Sequence, residues 1–190
     1  MILIIGLGNP GKKFNNTRHN IGFEILNSFK KNNNFTSWEQ KPKFKAKISK
    51  SLIENKEIIL AKPETFMNSS GKSVKALAIF YKPKTNNIWI VHDDLDITLG
   101  KIKISKSKSS AGHKGIESII KELKTKDFIR FRIGVAIENK KRQETKDKIV
   151  LKKFTEKERK VIKKIKKRAC DALLLGIEQG IEKTMSEYNN

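Results

Sequence analysis

Runs of apolar, β-branched residues alternate along this chain with segments whose apolar residues recur at helical spacing. Residues 1–5 form a β-rich run that ends at Gly6, and Ile21, Ile25 and Phe29 then follow the periodicity of an amphipathic helix. This alternation strongly restricts the possible folds, because a strand and a helix must each bury an apolar face against a neighbouring layer. The sequence therefore predicts an α/β fold.

The remaining elements predict a mixed sheet in one domain. Residues 45–61 read as a hairpin that turns at Glu54-Asn55, and a hairpin is incompatible with a purely parallel sheet. Further strands are predicted at 88–91, 101–104 and 128–137. Further helices are predicted to begin after a cap at Ser69 or Ser70 and at a capping box formed by Thr155 and Glu158. Two more helices are predicted around 116–123 and over 176–188. We expect a single domain over residues 1–190, with a twisted mixed β-sheet flanked by helices.

The charge of the chain favours a polyanionic partner. Its 42 Lys+Arg residues outnumber 20 Asp+Glu residues, which gives a formal net charge of +22. The segment 140–168 carries 15 basic and four acidic residues, and such clustering favours nucleic acid over a membrane, although lysine-rich composition is the alternative explanation. No apolar run approaches a membrane span, and the single cysteine, Cys170, excludes an internal disulfide. We expect a reduced, cytoplasmic protein.

A glycine motif follows the first strand. Gly6-Leu-Gly-Asn-Pro-Gly11 satisfies the G-x-G-x-x-G pattern of dinucleotide-binding proteins. Pro10-Gly11 is a turn signal rather than the start of a helix, and Glu24 lies within the helical pattern instead of ending a second strand. A nucleotide-binding dehydrogenase is therefore the least supported of the functions considered.

Candidate chemistry lies in the histidines and in an aspartate cluster. His19 follows the glycine-rich loop, and Asp93 follows a predicted strand, so both can approach one edge of the sheet. An Asp–His pair without a nucleophilic serine predicts hydrolysis by activated water, since a carboxylate orients imidazole and stabilises its charged form. Two alternatives remain open at this point: a solvated turn at the end of the strand, and a metal site formed by His92, Asp93, Asp94 and Asp96, although neighbouring strand residues point to opposite faces.

Several short segments resemble bacterial-type peptidyl-tRNA hydrolase. They occur in the family's order and span residues 1 to about 135, whereas the C-terminal part matches in length more than in motif. The matching segments are Ile5-Gly-Leu-Gly-Asn-Pro-Gly11, Thr17-Arg-His-Asn-Ile-Gly-Phe23, Lys62-Pro-Glu-Thr-Phe-Met-Asn-Ser-Ser-Gly71, Val91-His-Asp-Asp-Leu-Asp96, Gly112-His-Lys-Gly115 and Arg130-Phe-Arg-Ile-Gly134.

The resemblance implies hydrolysis of the ester between a peptide and tRNA, which recycles tRNA from aborted translation. It implies that His19 is the general base that activates water and that Asp93 supports the imidazole, with no metal and no cofactor. The implied partner is peptidyl-tRNA, bound at its acceptor end and phosphate backbone by a monomer. The residues implied to contact the substrate are Asn9 and Asn68, which hold it near the scissile bond, and Phe66 and Met67, which line the cleft wall.

Three positions depart from the family's usual pattern. Lys114 stands where asparagine is usual, so it is expected either to act in the site, to meet a tRNA phosphate, or to point to solvent. Phe14 replaces a tyrosine and keeps the ring for stacking without the hydroxyl. Ser105 replaces a residue that is often basic. The contacts to tRNA phosphate are therefore expected from Lys103, Lys106, Lys108 and Arg132, with Arg130 as the alternative to Arg132.

The departures at Lys114 and Phe14 motivate a second hypothesis, a non-catalytic RNA-binding protein on the same scaffold. Without the resemblance, His19 reads as an ordinary loop histidine and Asn68 as a cap of the next helix. Phe66 and Met67 then read as core residues.

Overall fold

A computed structural model describes residues 1–136 and 145–189 of the chain. Within these residues, seven strands form one sheet. The strands are β1 (Ile2–Gly6), β2 (Glu39–Lys41), β3 (Ala46–Ile53), β4 (Lys56–Pro63), β5 (Ile88–Thr98), β6 (Ile102–Lys106) and β7 (Ile129–Ala136). Their order across the sheet is β2-β3-β4-β1-β5-β7-β6.

Helices cover both faces of this sheet. They are α1 (Ile21–Asn32), α2 (Ser70–Tyr81), α3 (Lys114–Leu123), α4 (Lys146–Val150), α5 (Glu156–Gln179) and α6 (Ile181–Tyr188). No helix within the described ranges is long and apolar enough to cross a membrane.

The sheet is mixed, as predicted. β1 pairs in parallel with β4 and β5, and β5 pairs in parallel with β7. β3 pairs antiparallel with β4 through the predicted hairpin, and β6 lies antiparallel to β7 at one edge. The predicted α/β class is therefore confirmed, and the carboxyl ends of β1, β5 and β7 meet at a common edge of the sheet.

Each face of the sheet has its own apolar core. On one face, Ile25, Phe29 and Leu173 bring α1 and α5 against the strands; on the other, Val74 and Ile119 belong to α2 and α3. Burying an aliphatic side chain of this size stabilises the fold by ~1.5–3 kcal/mol. These two layers of helices fix the positions of the loops at the edge of the sheet.

Close packing at two glycines places the start of α1 against the central strands. A Cβ atom on Gly6 would lie 2.5 Å from the carbonyl oxygen of Gly22, and one on Gly22 would lie 2.4 Å from that of Val91. The first glycine of the G-x-G-x-x-G pattern therefore permits contact between a helix and a strand. α1 begins only at Ile21, well beyond the glycines, so the loop is not the start of a helix that could face a dinucleotide.

Several predicted elements need correction. The strand predicted at 88–91 continues to Thr98, so His92 to Asp96 lie in β5 rather than in a turn. The last helix does not begin at Gly176, because α5 runs to Gln179 and Gly180, at φ 92°, separates it from α6. Ser69 precedes α2 but makes no side-chain capping bond. β2 and α4 were not predicted, whereas the capping box at Thr155 and Glu158 is confirmed.

Two sequence predictions extend beyond the described residues. The strand predicted to end at residue 137 and the basic segment that begins at residue 140 both enter residues 137–144, which lie outside the described ranges.

Candidate active site

His19 and Asp93 meet at the edge of the sheet. His19 lies in a short 3-10 turn, Arg18–Asn20, directly before α1, and Asp93 lies in β5. Nδ1 of His19 is 2.9 Å and 3.0 Å from the two carboxylate oxygens of Asp93. A carboxylate accepts hydrogen bonds, so Nδ1 carries the hydrogen, and Nε2 of the neutral ring keeps the lone pair that a general base needs.

His113 is a second hydrogen-bond partner of Asp93. Its Nδ1 accepts from the backbone N–H groups of Gly115 and Ile116 at 3.1 and 3.3 Å, which makes His113 the N-cap of α3. Since Nδ1 accepts, Nε2 must carry the hydrogen, and it donates to Asp93 Oδ1 at 3.0 Å. The sequence places His113 in the segment Gly112-His-Lys-Gly115 but indicates no role for it.

The side chains of His19, Asp93 and His113 lie close enough to raise the question of a metal ion. One ligand atom from each lies within 4.8 Å of the others. The hydrogen-bond pattern argues against such a site, because Nε2 of His113 carries a hydrogen and has no lone pair to offer while Nδ1 caps α3. The arrangement favours a proton-handling network. The predicted grouping of Asp93 with His92, Asp94 and Asp96 is not a cluster of ligand atoms within the described residues.

The ionisation of Asp93 follows from its neighbours. Burial alone would raise the pKa of this carboxyl, but interaction with the His19 and His113 rings and their hydrogen bonds holds the pKa well below its usual range. Asp93 is therefore a carboxylate at any pH at which the protein works. It can orient His19 and stabilise a positive charge on its ring.

His92 lies beside this network but does not join it. Its Nδ1 donates to the backbone carbonyl of Asp93 at 2.7 Å, and its Nε2 has no hydrogen-bond partner within the described parts of the chain. Burial lowers the pKa of the imidazole well below its usual value, and the nearby His113 and Arg130 lower it further. His92 is therefore a neutral, buried ring beside His113.

Asn9 is held in a fixed orientation beside the cleft. The side-chain amide of Asn20 accepts from the Asn9 N–H at 2.9 Å and donates to the Asn9 carbonyl at 3.0 Å. The backbone N–H of Met67 donates to Oδ1 of Asn9 at 2.8 Å. With Oδ1 engaged, Asn9 presents its Nδ2 hydrogens to a ligand. Asn20, for which the sequence indicated no role, positions this residue.

Two cavities share the His19 side chain. A small one, of about 40 Å³, has Asp93, Asp94 and His113 in its wall, and it is large enough for one or two water molecules. The second is a cleft of about 270 Å³. The residues that line this cleft are Asn9, His19, Phe66, Met67, Asn68, Lys114, Asp147, Val150 and Leu151.

The cleft wall combines apolar and amide groups. Phe66 is 59% exposed, and Phe14 packs edge-on against it with ring centroids 6.4 Å apart. Met67 is buried. Asn68 is exposed and does not cap α2, because the capping position belongs to Ser69. The cleft thus offers an exposed aromatic surface and amide groups to a ligand.

Lys114 spans the cleft. It is the first residue of α3, and its Nζ lies 2.5 Å from a carboxylate oxygen of Asp147 in α4. Both residues line both cavities, and both side chains are more than half exposed. Lys114 therefore lies at the site, where its charge is paired with Asp147.

The residues expected to contact phosphate line one groove. This groove, of about 420 Å³, has Met185 and Asn189 from the C-terminal region in its wall. Arg132 donates to Asp94 at 2.8 Å, which connects the groove to the wall of the small cavity. The basic residues that line the groove are Lys103, Lys106, Lys108 and Arg132.

Arg130 does not line this groove, and Ser105 lines it without contributing a charge. The guanidinium of Arg130 is buried and donates to the carbonyl of Ser109, and burial lowers its pKa to about 10. Ser105 is also buried, and its hydroxyl has no hydrogen-bond partner in the described ranges. Of the two arginines considered for phosphate, Arg132 is thus the one that lines the groove.

Comparisons with known sequences and structures point to one family. A sequence model of the family described as peptidyl-tRNA hydrolase matches residues 3–190. A peptidyl-tRNA hydrolase from Thermoanaerobacter sp. (strain X514) is 42% identical over 189 residues, covering 100% of both chains. One from Clostridium botulinum (strain Alaska E43 / Type E3) is 40% identical, covering 100% of this chain and 96% of the relative. The crystal structure of peptidyl-tRNA hydrolase from Acinetobacter baumannii superposes with a TM-score of 0.90 at 30% identity, covering 100% of this chain and 94% of that one.

Proposed function

The chain belongs to the peptidyl-tRNA hydrolase family and hydrolyses the ester between peptide and tRNA, and from this premise we propose that His19 is its general base. The observation that carries the proposal is the pair of contacts, 2.9 and 3.0 Å, between His19 Nδ1 and the Asp93 carboxylate. They leave Nε2 as a proton acceptor. Family membership also favours an enzyme over the alternative of a non-catalytic RNA-binding protein.

Water is activated beside His19. The small cavity next to the ring has room for a water molecule, whose proton passes to Nε2 as its oxygen attacks the ester carbonyl. The resulting imidazolium is stabilised by the Asp93 carboxylate. General-base catalysis of this kind contributes about 10²–10⁴-fold to a rate.

The intermediate then collapses towards products. The bond between the carbonyl carbon and the ribose oxygen breaks, and His19 returns its proton to that oxygen. The free tRNA hydroxyl and the peptide carboxylic acid leave, and the acid gives its remaining proton to solvent to become the carboxylate. No further acid is required, because the proton that His19 takes from water is the one it gives to the leaving group.

Amide groups in the cleft hold the scissile ester. With Oδ1 of Asn9 engaged by Met67, its Nδ2 donates to a carbonyl oxygen and stabilises the negative charge that develops there. Asn68 lies in the same cleft and offers a second amide to the peptide backbone. Phe66 and Phe14 contact apolar parts of the substrate through their rings.

The tRNA extends from the cleft towards the basic groove. Lys103, Lys106, Lys108 and Arg132 bind phosphates of its acceptor end, and the contact of Arg132 with Asp94 connects this groove to the site. We further propose that the enzyme acts as a monomer, which is supported by a site whose proposed residues need no second copy, and that it acts in the cytoplasm, where its substrate arises.

The test is single-turnover hydrolysis of an N-acetylated aminoacyl-tRNA by His19→Ala. We expect a loss of about 10³-fold in rate, with unchanged affinity for tRNA and unchanged melting temperature. Added imidazole should restore part of the activity. A matched control is Asn32→Ala, an exposed residue at the end of α1, which should keep the full rate. A His19→Ala rate within tenfold of the parent's would refute the role given to His19.

A further inference from the structure

Strand β6 is held at its outer edge by one side chain from the C-terminal end of the chain. The carboxamide of Asn189, directly after α6, accepts from the backbone N–H of Ile104 at 2.7 Å and donates to the carbonyl of Ile104 at 2.9 Å. Among the described residues, β7 is the one strand that pairs with β6, and it lies on the other side. Asn189 thus takes the place that a neighbouring strand would occupy.

The strand held in this way carries the lysines of the phosphate groove. Ile104 lies between Lys103 and Lys106, both exposed, while Ile104 itself is buried. Met185, in α6, and Asn189, directly after it, line the same groove. The two hydrogen bonds therefore fix the distance between the strand that bears the lysines and the end of α6.

The groove is positively charged, so the distance between β6 and the end of α6 affects how a phosphate ligand can bind in it. Arg132 is already paired with Asp94, so its charge is partly compensated, whereas no acidic residue lines the groove within the described ranges. A neutral carboxamide joins β6 to the end of α6 without adding charge. A carboxylate at the same position would keep the bond to the Ile104 N–H but would repel both the Ile104 carbonyl and a phosphate.

We propose that Asn189 is a positioning residue for tRNA, which holds β6 and the end of α6 at the spacing that lets Lys103 and Lys106 contact the phosphates together. The inference rests on the proposed function of the groove. Asn189 does not touch the reacting atoms. Its effect acts through the placement of the lysines, so it belongs to binding and not to the chemical step.

The test measures KM and kcat of the variant Asn189→Ala with two substrates. One is an N-acetylated aminoacyl-tRNA, and the other is the corresponding N-acetylated aminoacyl-adenosine, which lacks the phosphates. We expect KM for the tRNA substrate to rise about threefold to tenfold, kcat to stay within about twofold, and the slope of log KM against log salt to flatten. The adenosine ester should be cleaved as by the parent. Asn189→Asp should raise KM further, and Asn189→Gln should restore part of the binding.

Two outcomes would overturn the inference. One is an unchanged KM for tRNA; the other is an equal loss for both substrates, which would mean general structural damage. Lys103→Ala and Lys106→Ala separate this inference from the proposed function. If the lysine variants raise KM and Asn189→Ala does not, only the role of Asn189 fails. If none of these variants raises KM, the proposal that this groove binds tRNA phosphates is wrong.

Discussion

At the scale of single residues, His113 shows what local sequence could not reveal. Its two ring nitrogens serve two elements at once, since one caps α3 and the other donates to Asp93. The sequence shows that a histidine precedes a helix, but the distance from that helix to β5 depends on the fold. Asn20 is similar, because its contact with Asn9 exists only once the loops meet. His19 and Asp93, by contrast, were selected from motifs and strand ends.

His113→Asn should separate the two roles of this residue. Asparagine is a good N-cap, so the melting temperature should change little, but its shorter side chain does not reach Asp93 as an imidazole does. We expect kcat to fall about tenfold or more, because removing a hydrogen bond to a charged group costs about 1.5–3 kcal/mol. Steady-state kinetics and thermal unfolding measure the two effects. Parental kcat in a stably folded variant would contradict the role in supporting Asp93.

Lys114→Asn should keep or raise the activity. Its ion pair with Asp147 is exposed on both sides, and such pairs contribute ~0–1 kcal/mol, so stability should change little. The variant restores the family's usual asparagine, which can both donate and accept. Lys121→Asn, an exposed change later in α3, removes the same charge as a control. A large loss of kcat in Lys114→Asn alone would show that the lysine takes part in this enzyme's reaction.

At the scale of elements, periodicity and capping residues predicted most of the fold. The hairpin at Glu54-Asn55 and the start of α5 at Thr155 depend on nearby residues, and the structure confirms both. β5 was predicted too short because His92 to Asp96 look like a solvated turn. His92, Asp93 and Asp94 are instead buried, and they pair with β7. α4 is five residues long and too short for a periodic pattern.

The start of α5 also supports the turn that carries His19. Arg18, next to His19, is buried and donates to Glu158, to the carbonyl of Lys153 and to that of Lys152. Glu158 in turn completes the capping box with Thr155. The turn that carries His19 is therefore fastened to α5 at a point far along the chain, which local sequence does not encode.

Glu158→Gln should destabilise the protein in a pH-dependent way. Burial raises the pKa of this carboxyl, but hydrogen bonds from Thr155 and the charge of Arg18 lower it below its ordinary 4.5. A lowered pKa stabilises the fold fully above about pH 4.5, and the contribution is lost as the pH falls through the pKa of the folded state. At pH 7 we expect a loss of about 2 kcal/mol in the free energy of unfolding.

Denaturant unfolding between pH 3 and pH 7 checks this expectation. Glu156→Gln, an exposed change in the first turn of the same helix, is the matched control and should cost less. If Glu158→Gln lowers stability equally at both ends of the pH range, the ion pair with Arg18 is not the cause.

At the scale of the whole molecule, the net charge of +22 is divided between two surfaces. The lysines of β6 and the following loop line the groove that also contains Arg132, whereas many others lie on the exposed face of α5. The sequence showed the basic segment 140–168, and the resemblance assigned the phosphate contacts to Lys103, Lys106 and Lys108 instead. The structure adds that these three lysines line one groove together with Arg132.

Neutralising the groove should weaken tRNA binding more than an equal change on α5. Replacing Lys103, Lys106 and Lys108 with Gln should raise KM for tRNA substrates and reduce the salt slope by about 0.9 for each phosphate that is no longer neutralised. Replacing Lys157, Lys160 and Lys164 removes the same charge from the helix and is the control. Equal effects of both triple variants would mean that overall charge, not the groove, binds tRNA.

The central claim, that His19 and Asp93 act as one unit, is tested most directly by a double-mutant cycle. The single-turnover rate of N-acetylated aminoacyl-tRNA hydrolysis is measured for His19→Ala, Asp93→Asn and the double variant. Groups that act as a unit are strongly non-additive, so the double variant should be within about threefold of His19→Ala alone. If instead the two losses multiply in the double variant, Asp93 does not act through His19, and the account of the site is wrong.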